Sequence, residues 1–239
     1  MFTLDSNWYS PVSPLSATND DAKTGARTSA TLAYEAIRGG LLSGEVAAGQ
    51  RLRIQELSAC YGCGAIPVRE ALNRLAADGL VVHSEQRGFS AAGISAADVM
   101  DLCRARIWLS DAALAESVRR GDDAWEERVL IAYHRLQKVP RYESQEPPRS
   151  NPAYKEPHRV FHAALLSACG SSWALRLYAQ LFDHAERHRN LARAISVSDP
   201  DAEHLALVQA ALRHDVEGTQ ALARQHIEAV ALTVAGRLQ

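Results

Sequence analysis

Apolar positions recur at helical intervals along most of the chain. In TLAYEAIRGGLLS, residues 31–43, Ala33, Ile37 and Leu41 fall four apart and predict a helix. Gly44 follows at the place of a C-capping glycine. EVAAGQRL reads as a turn, and RIQELSACYG as a short second helix. CGAIPVREALNRLAADGL opens with a turn and continues as a third helix from about Ile66, with Pro67 in its first turn and Gly79 at its end. Val68, Leu72 and Leu75, with Ala71 beside them, make its inward stripe. VVHSEQRGFSAAG then sets two short apolar runs around a polar turn with Gly88, a hairpin signal.

From Ser95 the helical period is sustained. SAADVMDLCRARIWLSDAALAESVRR begins with a Ser N-cap signal, and DDAWEERVLIAYHRLQKV is a second amphipathic stretch. A polar connection broken by prolines, PRYESQEPPRSNPAYKEP, leads to four more helical segments, from HRVFHAALLSA to DVEGTQALARQHIEAVALTVAGRL. Residues 1–29 are rich in Ser, Thr, Asn, Asp and Pro and read as a disordered arm. The predicted chain is mainly α: a winged helix-turn-helix over residues 30–94, of three helices plus a β-hairpin, and an all-α bundle of about six helices over 95–239.

A winged helix-turn-helix exposes the start of its third helix to a major groove. Arg69 and Asn73 lie one turn apart on its outward face, with Arg69 placed for a phosphate or guanine. Arg53, Arg74 and Arg87 would be supporting phosphate contacts. The charge balance is neutral, since residues 31–94 hold six Arg, no Lys and six Asp plus Glu. The whole chain carries a net −2, so composition alone does not distinguish a DNA-binding face from a solvated one. No apolar run approaches the length of a membrane span, and the start lacks the pattern of a secretory signal. Cys60, Cys63, Cys103 and Cys169 show no disulfide framework, which fits a reduced, cytoplasmic setting. The CYGC run straddles the helix-turn and reads as structural.

The run YEAIRGGLLSGEVAAGQRLRIQELSACYGCGAIPVREALNRLAADGLV resembles the GntR superfamily of bacterial transcription regulators. The match rests on Ser43, Gly44, Gly49 and Leu52 in the turn, on Glu56 and Leu57 in the second helix, and on the run from Pro67 to Val81, with Gly88 as the wing glycine. The helical half is similar to the effector domain of the FadR-like subfamily. The resemblance implies a homodimeric regulator of double-stranded operator DNA, without enzymatic activity, that responds to a small organic acid. Gln55 and Ile66 take DNA-facing places in the pattern. Gly64, Ala65 and Ile66 stand where relatives carry Ser-Arg-Thr, and Gln55 where an arginine is common. Operator sequence therefore does not transfer from relatives.

Histidines raise a second chemistry. EPHRVFHAAL places His158 and His162 four residues apart on one helical face, a spacing that suits one metal ion. Such pairs also arise by chance; His184 and His188 form another. His204 and His226 lie eleven residues to either side of Asp215, so an antiparallel helical hairpin would bring them level. The resemblance selects the same residues, with His158 where relatives carry an aspartate. An all-imidazole set favours Zn, with Ni or Cu as alternatives, over Mn. The competing readings are buried histidines bonded to one another, and a site in which His158 stays uncoordinated.

The resemblance also places Arg106 near an effector, against the alternative of a structural ion pair, and puts Ser110 where relatives carry Glu. Arg189 or His188 could face the same cavity. No nucleophile elbow or phosphate loop is present. Glu203 is the only near carboxylate, and it points away from its neighbour His204. A direct metal sensor, or a metal-dependent enzyme or storage bundle fused to a DNA-binding module, are the other readings.

Overall fold

The computed structural model describes residues 28–145, 148–192 and 200–238. The arm expected at 1–29 lies outside them except for its last two residues. The chain forms two compact units, Met1–Ile94 and Ser95–Gln239.

In the first unit α1 (Ser29–Ser43) starts at Thr28, whose hydroxyl accepts from the Thr31 amide, and stops at Gly44 in the left-handed region, φ 78°. A side chain there would be strained, so glycine ends the helix at little cost. β1 (Arg51–Leu52) and α2 (Ile54–Tyr61) follow. α2 closes on Gly62, also left-handed, and the Cys63 amide donates to the Ser58 carbonyl at 3.2 Å. α3 (Ala65–Ala77) buries Val68, Ala71, Leu72 and Leu75 against Ile37 and Leu41 of α1, and against Leu57 of α2. β2 (Val81–Ser84) and β3 (Gly88–Ala91) pair antiparallel from Val81↔Ala91 to Ser84↔Gly88. Phe89 seals the sheet onto the core. Cys60 and Cys63 are free thiols packed at the edge of that core.

The wing departs from the expected hairpin in one respect. β1 joins it as a third strand, in the order β1-β3-β2, with Arg51 opposite Ser90. A two-residue strand is too short to show alternation, so its partner, not its own pattern, defines it.

In the second unit α4 (Ala96–Arg120) is capped by Ser95, whose Oγ accepts from the Asp98 amide at 3.1 Å. Asp122 caps α5 (Asp123–Gln137) at the Trp125 amide, 2.8 Å. The proline-broken connection is more ordered than its sequence indicates. It holds an antiparallel pair, β4 (Tyr142–Gln145) and β5 (Pro148–Ser150), then a 3-10 turn at Pro152–Tyr154. Then come α6 (Lys155–Leu166), α7 (Ser172–Leu191), α8 (Pro200–Leu212) and α9 (Val216–Gly236). Asp215 caps α9 through the Gly218 amide at 2.9 Å.

The core of this unit centres on Trp125, Phe161, Leu165, Leu166 and Leu207. Trp125 is fully buried, and its Nε1–H donates to the Ala164 carbonyl at 3.1 Å, tying α5 to α6. Among the described residues no helix is long and apolar enough to cross a membrane.

Candidate functional site

α6 presents His158 and His162 on its buried face, one turn apart, and their Nε2 atoms lie 3.0 Å from each other. α8 contributes His204 and α9 contributes His226. The hairpin about Asp215 sets these two rings 5.0 Å apart, centroid to centroid. His162 lies 5.2 Å from His204 and 5.3 Å from His226. One nitrogen from each of the four imidazoles falls within 4.8 Å of the others. All four are buried, His204 with 1% exposure.

Buried polar groups without partners are costly and rare, and they concentrate at this point. Neither ring nitrogen of His204 has a hydrogen-bond partner, nor does Nδ1 of His158. Burial, then the neighbouring imidazoles, hold His158 and His162 well below the ordinary histidine range. Burial, then His226, pushes His204 down to about 2. These three rings are therefore neutral at physiological pH, the form in which imidazole is a ligand.

His226 donates from Nδ1 to Glu203 Oε2 at 2.6 Å, the kind of carboxylate contact that orients a metal-ligating imidazole. This carboxylate corrects the expectation that none pairs with the histidines. Glu203 does point away from adjacent His204, but α8 and α9 are in contact, and it meets His226 across that interface. The four-imidazole donor set and the unpartnered nitrogens of His158 and His204 fit a divalent ion.

Positive charge lies close by. Arg189 pairs with buried Glu186, and its charge acts on His158, His162 and His204. Arg106 is buried at 7% exposure, reaches the Tyr178 hydroxyl, and leaves its Nε without a partner. A narrow, mostly apolar cavity beside the imidazoles is lined by Ser110, Leu114, Tyr178, Leu207 and Ile227. His188 does not join the cluster. Its Nε2 lies 3.2 Å from Asp98, burial pushes it down to about 4, and it lines a neighbouring small pocket with Arg106 and Cys103.

In the first unit an open groove is lined by Arg51, Arg53, Gln55, Arg69, Arg87 and Gly88. Arg53 also bonds Glu56 at 2.6 Å. Asn73 and Ile66 are exposed on the same stripe of α3 as Arg69. Arg74, also exposed, lies with its guanidinium 4.2 Å over the Tyr34 ring on α1. Arg51 and His83 were not among the expected groove residues. Arg51 sits on the strand too short to predict, and His83 is held flat on Phe89, centroids 4.3 Å apart.

Comparison with known proteins agrees with both halves. Residues 30–90 match the family described as bacterial regulatory proteins, gntR family, and residues 101–229 match the FCD domain. The Uncharacterized HTH-type transcriptional regulator BphR of Paraburkholderia xenovorans (strain LB400) is 38% identical over 197 residues, covering 82% of this chain and 80% of its own. HTH-type transcriptional repressor GlaR of Escherichia coli (strain K12) is 30% identical over 200 residues, covering 81% and 90%. Two solved structures share the fold. E. coli McbR/YncC gives a TM-score of 0.71 at 18% identity, covering 90% of this chain and 100% of that one. A GntR regulator of Rhodococcus sp. RHA1 gives 0.67 at 21%, covering 87% and 97%. With a helix-turn-helix and wing at one end and a helical domain at the other, each matched over most of its length, the chain belongs to the gntR family of bacterial regulatory proteins, as a DNA-binding transcription regulator with an FCD domain.

Proposed function

We propose that the FCD domain holds a divalent ion on His158, His162, His204 and His226, takes a small organic acid beside it, and thereby sets the operator affinity of a homodimer. The observation that carries this reading is the convergence of four buried imidazoles on one point, with unpartnered nitrogens on His158 and His204. An all-imidazole set favours Zn, with Ni or Cu next. When bound, the ion supplies a positive, Lewis-acidic centre for an anion. Glu203 orients His226 through Nδ1. Arg106, with a buried nitrogen unpartnered, offers a charge-assisted donor for a carboxylate, and Arg189 adds positive potential.

The cavity beside the imidazoles has room for about one water at most, so an acid must displace a wall to enter. Ser110 and Leu114 of α4 form part of that wall, and α4 begins at Ala96, where the chain leaves the wing unit. A shift of α4 is thus the proposed link from ligand to DNA, a coupling of about 1–3 kcal/mol. A unit whose residues 31–94 hold as many acidic as basic side chains gives one copy modest affinity, and two copies on paired half-sites make up for it. The relative GlaR, named a repressor, supports repression as the mode. A protein acting on chromosomal operators works in the cytoplasm.

The narrow cavity also favours a second reading, in which the ion itself is the signal. Metal analysis of purified protein, beside His162→Ala and His226→Ala variants, tests the site: about one ion per chain is expected, and loss in both variants. Operator binding with and without chelator, across a panel of small acids, separates the readings. A sensor responds to chelator alone, whereas an acid-responsive regulator needs the acid. Protein without metal, or variants that retain it, would sink the proposal.

A further inference from the structure

The first turn of the recognition helix carries no side chain that can hydrogen-bond a base. Its sequence is Gly64-Ala65-Ile66-Pro67, and Gly64 provides no side-chain cap. Ile66 is 82% exposed, more than any other large apolar side chain among the described residues. It is not turned outward for lack of a core. The inward stripe of α3 is already filled by Val68, Ala71, Leu72 and Leu75. Ile66 instead begins the opposite stripe, which continues with Arg69 and Asn73, both exposed. Arg69 lines the groove shared with Arg51, Arg53 and Arg87, whose charges suit a phosphate backbone.

An apolar side chain on a groove-reading stripe has one specific target in the major groove. Hydrogen-bonding edges gain nothing from a hydrocarbon, and would lose water to it. The thymine C5-methyl group is the feature that apolar contact recognises. The bare Gly-Ala tip lets the helix approach closely, and a Cβ added at Gly64 would meet only Pro67 Cδ, at 3.7 Å. We propose that Ile66 reads a thymine methyl, so that operator choice at the step facing the helix tip rests on a methyl group, with polar readout beginning one turn later at Arg69.

The test uses the full chain and a pool of DNA duplexes with a randomised centre. Sequences enriched by binding are resynthesised with uracil in place of thymine, one position at a time, which removes only the methyl. Affinities are then measured by fluorescence anisotropy for the wild type and for Ile66→Ala, whose fold circular dichroism checks. At one thymine, uracil should weaken the wild type about fourfold, the worth of excluding water from one methyl, and leave Ile66→Ala unchanged. Arg69→Ala should weaken thymine and uracil duplexes by the same factor. The proposal is overturned if uracil affects wild type and Ile66→Ala alike at every position, if Ile66→Ala weakens all duplexes uniformly, or if no thymine is enriched.

Discussion

Replacing His204 by leucine should stabilise the metal-free protein and blunt its response to zinc. His204 is 1% exposed, its ring lies 5.0 Å from that of Phe161, and neither of its nitrogens is hydrogen-bonded. An unmet buried donor or acceptor costs about 1–3 kcal/mol. A hydrocarbon of similar size removes both, at a packing penalty below about 1.5 kcal/mol. With both groups removed, the net gain in chelator is about 0.5–6 kcal/mol, seen as a Tm rise of roughly 2–4 °C per kcal/mol. Zinc at about a hundredfold over its Kd adds about 2.7 kcal/mol to the wild type, whereas a site weakened tenfold by loss of one ligand gains only about 1.4. Thermal melts of both proteins, with chelator and with zinc, read the two effects separately. The reasoning is refuted if His204→Leu melts lower than wild type in chelator, or if zinc raises both proteins equally.

Acid should destabilise the metal-free second unit. His204 and His188 are held to about 2 and about 4, and His158 and His162 lie well below the ordinary value. The unfolded chain therefore binds more protons below about pH 6.5, and stability falls as pH drops through that value; melts in chelator that are flat from pH 7.5 to 5 would contradict this. His214 has the opposite sign. Its Nδ1 meets the Val118 carbonyl at 2.7 Å and Nε2 meets Glu126 at 3.1 Å, which raise its pKa. Its contribution is full below the unfolded value and lost as pH rises through the folded one, so His214→Ala should cost more at pH 5.5 than at pH 8.5. Arg69→Ala should weaken binding to all duplexes and lower the salt dependence of log K by about one unit, measured by titrations at several salt concentrations; an unchanged slope would remove Arg69 from the phosphate contacts.

Much of this molecule was legible along the chain because its signals are local. Ser95 caps α4 through the amide three residues on, as its place before the helical period predicts. Gly44 ends α1 with a backbone that only its immediate neighbours specify. Even the approach of His204 to His226 follows from a local fact, since equal distances from one turn place two residues level in any antiparallel hairpin. Tertiary packing decided what spacing cannot. His158–His162 and His184–His188 have the same interval, yet only the first pair faces α8 and α9 with its nitrogens converging. The Arg74 guanidinium meets the Tyr34 ring, β1 becomes a strand only beside β3, and Glu203 finds His226 across two helices. Sequence period determines which face of a helix is apolar. The rotation and height at which that face meets its neighbours arise from the fit of many side chains at once, and contacts between separate helices depend on that fit.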